Sequence, residues 1–250
     1  MIMNKKKIHW GSYLFIIFFM VAIPIFYMVE IPRWTKITQV CYCMNDVYCF
    51  AQYNSILVTL PLIQLIIIQN IKSEFRVNII VQLQKMSLLW IRFARRIFMI
   101  SLFCGLYMWI WVTVIGLFHA QLICNWNVDN SFVFAKTGGT YPVNVVWFML
   151  LFIIVSIVHA MVWGMLITII WWNTWQPVIG ITLMMVMAML EQAMYPAAVH
   201  IFFSVINMEI TYMYGMKPFG KLMIYACLWV IGTFVAGFLL IRKKDFLRRE

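Results

Sequence analysis

The chain has 250 residues, of which 65% are hydrophobic and only 11% are charged. A soluble domain carries about 45–50% apolar and about 25% charged residues, and one globular core could not hide this much apolar surface. The composition excludes soluble enzymes, disordered regulators and free nucleic-acid-binding domains. The net charge of +11 fits cations placed beside anionic lipid headgroups. The sequence therefore predicts an integral membrane protein.

Apolar stretches long enough to cross a bilayer recur along the chain. A crossing needs about 20 apolar residues, because the hydrocarbon core is about 30 Å thick and an α-helix rises 1.5 Å per residue. We predict an all-α integral membrane protein, a single permease-like domain over residues 1–250. Its six transmembrane helices lie at about 8–29, 47–71, 97–118, 144–170, 178–206 (interrupted) and 222–241.

The first apolar stretch follows Lys5, Lys6 and Lys7, as a secretory signal would. Its apolar part is longer than a usual signal sequence, and no small-x-small cleavage site follows it. We expect it to be retained as a helix.

Residues 137–190 carry no charge over 54 positions, which is too long for one crossing. The stretch Trp171–Pro177 combines interfacial tryptophans with a helix-stopping proline. It predicts a turn between the fourth and fifth crossings.

The fifth crossing is interrupted. After Val178–Leu190 come Glu191 and then Tyr195, which precedes a proline. This pattern predicts a broken helix or re-entrant segment before the last crossing. Glu191 either marks the outer end of a short crossing or, with Tyr195, faces a translocation path or gate. His159, inside the fourth crossing, is another candidate for that path, although a hydrogen-bonded structural role is favoured over a catalytic one.

Basic residues set the expected orientation. With the N-terminus inside, the inner segments carry 14 Lys and Arg residues, at positions 5–7, 72, 76, 85, 92, 95, 96, 242–244, 248 and 249. The outer segments carry five, at positions 33, 36, 136, 217 and 221. We therefore expect a multi-pass protein of the cell membrane with both termini in the cytoplasm.

The segment between the second and third crossings, residues 71–96, is amphipathic. Its apolar residues share one helical face, and these are Ile71, Phe75, Ile79, Leu83, Met86, Trp90 and Phe93. Three interpretations stay open: a helix lying in the membrane interface with its apolar side in lipid, a helical extension of the third crossing, and a docking helix for a cytoplasmic partner.

Four cysteines, Cys41, Cys43, Cys49 and Cys124, map to the outer side or its edge. In an oxidising exterior they allow up to two disulfides with three possible pairings. Cys41 and Cys43 are too close for an easy mutual bridge. Metal binding by Cys41, Cys43 and Cys49 lacks a clear fourth ligand, so we expect no metal site. In an anaerobic setting the thiols would stay reduced.

Catalytic and nucleotide-binding motifs are missing from the sequence. Gly-x-x-x-x-Gly-Lys-Ser/Thr, Gly-x-Gly-x-x-Gly, His-Glu-x-x-His and Gly-x-Ser-x-Gly do not occur, and no crossing carries paired carboxylates. We expect no enzyme activity in this chain, and we disfavour an intramembrane enzyme.

The order of features carries a resemblance to a known family. Glu74 opens the segment after the second crossing, and Ser87, Trp90, Arg95 and Arg96 lead into the third. The last crossing ends in a basic cluster and an Asp-aromatic pair, Ile241–Phe246. With six crossings and a broken fifth, the chain resembles the permease (transmembrane) subunit of type-2 exporter-class ABC transporters, in particular bacterial permeases for peptide or antimicrobial-peptide export or immunity.

The resemblance implies a mechanism and partners. Two cytoplasmic ATPase subunits, which hold the ATP and Mg that this chain cannot bind, would power transport of a peptide-like or amphipathic substrate. A second permease chain, the same or different, would complete the path; membrane lipids are further partners, and nucleic acid is not expected. The implied ATPase-coupling residues are Glu74, Arg76, Lys85, Ser87 and Arg92. The alternative is a non-transporting immunity or sensor protein that acts through helix–helix binding.

Overall fold

The computed structural model describes residues 17–18, 43–54, 58–72, 86–120, 122–129, 131, 134, 144–193 and 219–242. Apart from a bridge between Cys43 and Leu122 and a bridge residue at Ser131, the regular structure of these residues is helical. The helices are α1 (Met44–Asn54), α2 (Leu60–Ile71), α3 (Met86–His119), α4 (Val145–Thr174), α5 (Pro177–Ala193) and α6 (Phe219–Arg242). The predicted all-helical class is confirmed for the part of the chain that is described.

Two of these helices are long and apolar enough to cross a membrane. They are Ser87–Phe118 of α3, with a mean hydropathy of 2.0, and Val145–Thr174 of α4, with 2.7. α2, α5 and α6 contain shorter apolar helices. The first predicted crossing lies outside the described residues except for Ile17 and Phe18, which are helical. The number of six crossings therefore stays a prediction.

The turn predicted between the fourth and fifth crossings is confirmed. α4 ends where Trp175 takes a left-handed conformation (φ 62°) and donates its N–H to Trp171 O at 2.7 Å. Pro177 then begins α5, where its fixed φ suits a first helical position. α5 packs back along α4, and a Cβ on Gly180 would lie 3.0 Å from Ile167 Cγ2.

The predicted second crossing, 47–71, is described as two helical stretches. They are α1, Met44–Asn54, and α2, Leu60–Ile71, which residues 58 and 59 precede in helical conformation, while residues 55–57 are not described. Pro61 lies in the first turn of α2, where its missing N–H costs no intrahelical bond.

Helices α3 and α4 are antiparallel and closely packed. A Cβ on Gly164 of α4 would lie 2.8 Å from Ile97 Cγ2 in the first half of α3. A Cβ on Gly105, two turns further along α3, would lie 2.6 Å from Ile157 Cγ1. Residue numbers therefore increase along α3 as they decrease along α4, and a glycine lies at each of the two close approaches.

Helix α1 runs parallel to α4, and so opposite to α3. The Tyr48 and Phe152 rings are 5.0 Å apart, and one turn further along both helices Ser156 Oγ lies 3.1 Å from Gln52 Oε1. The directions of α1, α3, α4 and α5 thus alternate along the chain, as successive crossings of a membrane would.

Two apolar clusters fill the bundle. The larger gathers α2, the first half of α3 and the second half of α4 around Trp90, Phe93, Trp163 and Trp172. The smaller gathers α1, the end of α3 and the start of α4 around Tyr48, Trp126, Phe148 and Phe152. The outside is apolar too. Large exposed side chains cover the outer faces of α3, α5 and α6, among them Phe103, Leu117, Leu183, Leu190, Leu228 and Ile231.

The first turns of α3 decide between the interpretations of residues 71–96 as far as they are described. Residues 86–96 continue without a break into the third predicted crossing. Trp90 is fully buried and donates its indole N–H to Phe234 O of α6 at 2.9 Å, and the Phe93 ring meets Trp172 of α4 edge-on at 5.8 Å. The interpretation that places the apolar side of this segment in lipid is therefore wrong for these turns, because that side packs on α4 and α6. Residues 73–85 are not described.

The contact between Trp90 and Gly237 gives a stability prediction. A Cβ on Gly237 would overlap the Trp90 ring, whereas one on Gly232, also in α6, would meet no atom within 4 Å. We expect Gly237→Ala to destabilise the purified protein by about 1–3 kcal/mol through overpacking. Gly232→Ala should be neutral or stabilise by up to about 1 kcal/mol through helix propensity. Thermal unfolding in detergent would contradict the α3–α6 packing if both variants behaved alike.

Candidate functional site

A buried polar layer lies between α1, α2, α3 and α4, and consists of Gln52, Gln64, Ser101, Ser156 and His159. Each of these side chains is at most 5% exposed. The layer is set among apolar residues of the two clusters. A buried polar group without a hydrogen bond costs about 1–3 kcal/mol, so the hydrogen bonds of these five side chains need to be accounted for.

Two amide side chains join the layer to α4. Ser156 Oγ lies 3.1 Å from Gln52 Oε1 and donates to it. Gln64 Nε2 donates to Ala160 O at 3.1 Å. On α4, the donor residue Ser156 and the acceptor residue Ala160 are one turn apart, about 6 Å along the helix axis.

This spacing shows that α1 and α2 do not lie along one straight helix. A continuous helix would raise Gln64 about 18 Å above Gln52, whereas their partners Ser156 and Ala160 are separated by a single turn of α4. Both glutamines therefore reach nearly the same level of the bundle, one from the end of α1 and the other from the start of α2.

The side-chain carbonyl oxygen of Gln64 is a hydrogen-bond acceptor that no other residue of the layer uses. Its Oε1 is buried and receives no hydrogen bond within the described residues. The atom faces Gly164, on which a Cβ would lie 3.3 Å away. Glycine at this position allows the amide to approach the α4 backbone, and any larger residue would press on it.

Ser101 lies at the same level on α3. In the antiparallel pair, Ile97 packs on Gly164 and Gly105 packs on Ile157. Ser101 is midway between Ile97 and Gly105 on α3, which places it at the level of Ala160 on α4. Its Oγ is also buried and has no hydrogen-bond partner in the described part of the chain. Two hydrogen-bonding oxygens thus lie near one level of the bundle.

His159, the predicted path residue, belongs to this layer. Its side chain is 0% exposed, and its ring meets that of Trp163, one turn along α4, edge-on at 5.8 Å. His159 lies on α4 between Ser156 and Ala160, the residues to which Gln52 and Gln64 bond. Gln52, Gln64 and Ser101 were not selected from the sequence.

The other path candidates are only partly described. Glu191 lies in the last turn of α5, but its side chain is not described, and Tyr195 lies outside the described residues. Because Gly180 packs on Ile167 and α5 runs antiparallel to α4, the α5 backbone at Glu191 returns about as far as Ser156. The backbone of Glu191 is therefore nearer to the polar layer than to the outer end of a crossing.

A second polar feature, the Asp46 cap, closes one end of the bundle. Asp46 Oδ2 accepts the Cys43 backbone N–H at 2.9 Å, in the manner of a capping box at the start of α1. Asp46 Oδ1 accepts the Trp126 indole N–H at 2.6 Å. Met44 N–H donates to Leu122 O at 3.1 Å. One carboxylate therefore ties the first turn of α1 to the connection between α3 and α4.

The Asp46 cap also reaches α4. The Trp126 ring meets Phe148, in the first turns of α4, edge-on at 5.0 Å. Tyr48, on the next α1 turn, shares a 2.7 Å hydrogen bond with Thr113 Oγ1 of α3. Three helices are thus held at this end by one carboxylate and its surrounding rings.

Burial sets the acidity of the cap. It raises the pKa of Asp46 from 3.8 to about 6, and the hydrogen bonds from Cys43 and Trp126 only partly oppose it. Burial, followed by the charge of Asp46, also raises the pKa of the Cys43 thiol. The thiol is therefore a poor nucleophile and metal ligand.

Three of the four predicted outer cysteines are described. Cys43 and Cys49 are buried, Cys124 is half-buried, and all three are thiols. Cys43 lies at the start of α1, and Cys124 Sγ accepts the Asn45 amide at 3.6 Å. The disulfides stay a prediction. Cys41 lies outside the described residues. No group of three His, Cys, Asp or Glu suited to a metal occurs in the described ranges.

The predicted ATPase-coupling residues are described only in part. Ser87 is half-buried and Arg92 exposed in the first turns of α3. Glu74, Arg76 and Lys85 lie outside the described residues, so no arrangement of the five is established.

Arg96 has a role that the sequence analysis missed. Its Nη1 donates to Asn70 O at 3.2 Å, which satisfies a carbonyl in the last turn of α2. The start of α3 is therefore attached to the end of α2.

Comparisons with protein families, curated proteins and solved structures give no match to this chain.

The Asp46 cap gives a prediction with a definite sign. Between about pH 4 and pH 6 the folded state holds the Asp46 proton more tightly than the unfolded chain, because its folded pKa is raised. Stability should therefore fall as pH rises through this window, by roughly 3 kcal/mol at most from this group. Asp46→Asn should remove that part of the slope.

Asp129→Asn is the matched control, because Asp129 is exposed on the same connection. Unfolding temperatures of the three proteins in detergent between pH 4 and pH 7 provide the measurement. An Asp46→Asn profile parallel to that of the unmodified chain would show that the carboxylate is not buried as described.

Proposed function

We propose that this chain is the membrane-spanning subunit of an ATP-driven exporter, and that its helices form the path for a peptide-like or amphipathic substrate. The observation that carries the proposal is the polar layer inside a bundle whose exterior is apolar. Polar side chains within membrane helices are costly, and they commonly mark the path of a transported substrate.

The multi-pass arrangement is part of the proposal. It is supported by the apolar lengths of α3 and α4, by the alternating directions of α1, α3, α4 and α5, and by the uneven distribution of Lys and Arg. In this arrangement the Asp46 cap faces outward, both termini are cytoplasmic, and the start of α3 lies at the inner surface.

The energy would come from two ATPase subunits that dock at the inner end of α3. The support is the family resemblance together with the exposed cations Arg92 and Arg95 there. Helix α3 is continuous from these residues to Ser101 in the polar layer. A push on its first turns would therefore be transmitted to the layer, with Trp90 moving α6 through its bond to Phe234.

Transport also requires two states with different affinities for cargo, because ATP hydrolysis can shift the population only between such states. The polar layer in this structure is closed: Gln64, Ser101 and His159 are 0% exposed. We assign the structure to the closed state. Opening would separate α1 and α2 from α4 by breaking the bonds of Gln52 and Gln64.

The coupling role is tested by reconstituting the chain with the ATPase that co-purifies from its native membrane. We expect Arg92→Glu to reduce ATP-dependent peptide uptake into inside-out vesicles at least fivefold, because the charge that pairs with the ATPase is reversed. Arg92→Lys should retain most activity, and Lys136→Glu, on the expected outer side, should have little effect. Equal activity of all variants would exclude Arg92 from coupling.

Failure to co-purify any ATPase would instead favour the immunity or sensor interpretation. The orientation is tested separately with a protease-sensitive tag at each terminus. Both tags should be protected in intact cells and cleaved after permeabilisation. Cleavage of either tag in intact cells would contradict the proposed topology.

A further inference from the structure

We propose that the polar layer binds the backbone of an apolar peptide segment, with Gln64 Oε1 and Ser101 Oγ accepting peptide N–H groups. The inference rests on the proposed function only in assigning the peptide as cargo. The contacts that carry it are those of the layer itself.

The first step concerns hydrogen-bonding capacity. Gln64 uses its amide N–H on Ala160 O, which leaves its carbonyl oxygen as an acceptor. Ser101 Oγ is likewise unused within the described residues. Buried acceptors of this kind are rare in folded proteins, and each costs about 1–3 kcal/mol while no donor reaches it. A ligand that supplies N–H donors recovers this cost.

The second step concerns charge. The layer contains two amides, two hydroxyls and an imidazole, and no Asp, Glu, Lys or Arg whose side chain is described lies in it. A charged ligand group would lose its hydration without gaining an opposite charge, which is strongly unfavourable. Neutral donors such as peptide N–H groups avoid that loss.

The third step concerns the walls of the layer. Ile67 and Ile97 approach Gly164 on one side of Gln64, and Ile157 meets Gly105 beyond Ser101. Trp163 packs on His159. Aliphatic and aromatic walls around a few neutral hydrogen-bonding groups match a peptide backbone that carries apolar side chains.

The fourth step concerns access. Gln52 and Gln64 join α1 and α2 to α4 through side-chain hydrogen bonds. When these bonds exchange to a ligand, the oxygens of the layer become available. The same separation uncovers part of both apolar clusters, because Ile67 of α2 and Tyr48 of α1 belong to them, and the apolar side chains of a bound peptide would cover these surfaces again.

The experiment measures peptide binding to the purified chain in nanodiscs, without ATP or ATPase. The probe is a nine-residue Leu/Ala peptide with an acetylated N-terminus, an amidated C-terminus and a fluorescent label, and binding to empty nanodiscs is subtracted. A second probe is the same peptide with its central backbone nitrogens methylated, which removes N–H donors and keeps the apolar side chains.

We expect saturable binding of the first probe and affinity about tenfold lower for the methylated one, the range expected for one or two hydrogen bonds. Ser101→Ala should weaken binding of the first probe by about threefold to tenfold and reduce the effect of methylation. It removes a hydroxyl that has no hydrogen-bond partner among the described residues, so the variant should fold normally. Gln64→Leu should act in the same direction.

Thr168→Val is the matched control. It removes a buried α4 hydroxyl whose hydrogen bond goes to Gly164 O within the same helix, at 2.7 Å, so peptide affinity should not change. Equal binding of both probes, no binding above empty nanodiscs, or equal effects of Thr168→Val and Ser101→Ala would each overturn the proposal.

The two proposals fail separately. Selective peptide binding without ATP-driven uptake would retain the site and reject the exporter. ATP-driven uptake that is indifferent to Ser101→Ala and to backbone methylation would retain the exporter and reject the site.

Discussion

The cost of burying polar groups away from water governs how these helices are arranged. Gln52 and Gln64 are separated by twelve positions in sequence, yet they bond to Ser156 and Ala160, one turn apart on α4. A single straight helix could not satisfy both amides, because only one of them would reach that level. α1 and α2 therefore do not follow one straight helix axis, and this offset gives each amide a partner on α4. The polar layer and the offset are two consequences of one constraint.

Glycines make this arrangement possible by letting the helix backbones approach. Gly105 and Gly164 fix the antiparallel register of α3 and α4, and that register brings Ser101 level with Ala160. Gly237 does the same for α6, whose backbone accepts the Trp90 indole at Phe234. Close packing without strong polar bonds is typical of helices in a membrane, where small residues at the contact provide most of the attraction. Few side-chain hydrogen bonds join the helices, and those of Gln52 and Gln64 join α1 and α2 to α4. Whether α1 and α2 separate from α4 therefore depends on these bonds.

Short sequence patterns predicted the elements whose position depends on neighbouring residues alone. The interfacial tryptophans and Pro177 located the turn between α4 and α5, and apolar length located α3 and α4. The departure of 47–71 from one straight helix was not predicted, because its average hydropathy hides the two glutamines. Their spacing inside an apolar run was the available signal. The bond from Trp126 to Asp46 spans 80 positions and depends on tertiary packing that no local pattern encodes. For the same reason Trp90 and Phe93 were assigned equally well to lipid or protein, since amphipathicity does not identify what covers the apolar face.

The Asp46 cap and the polar layer differ in how firmly they hold α1. At the cap, a carboxylate with two hydrogen-bond donors is surrounded by the Trp126, Phe148 and Tyr48 rings. At the layer, Gln52 makes a neutral bond to a hydroxyl. The cap thus combines two hydrogen bonds with ring packing, so in the proposed opening α1 would separate from α4 at the layer while the cap stays closed. In the proposed exporter, a bundle that opens at the layer and stays closed at the cap would expose the layer oxygens to one side of the membrane only, as directional transport requires of a single binding level.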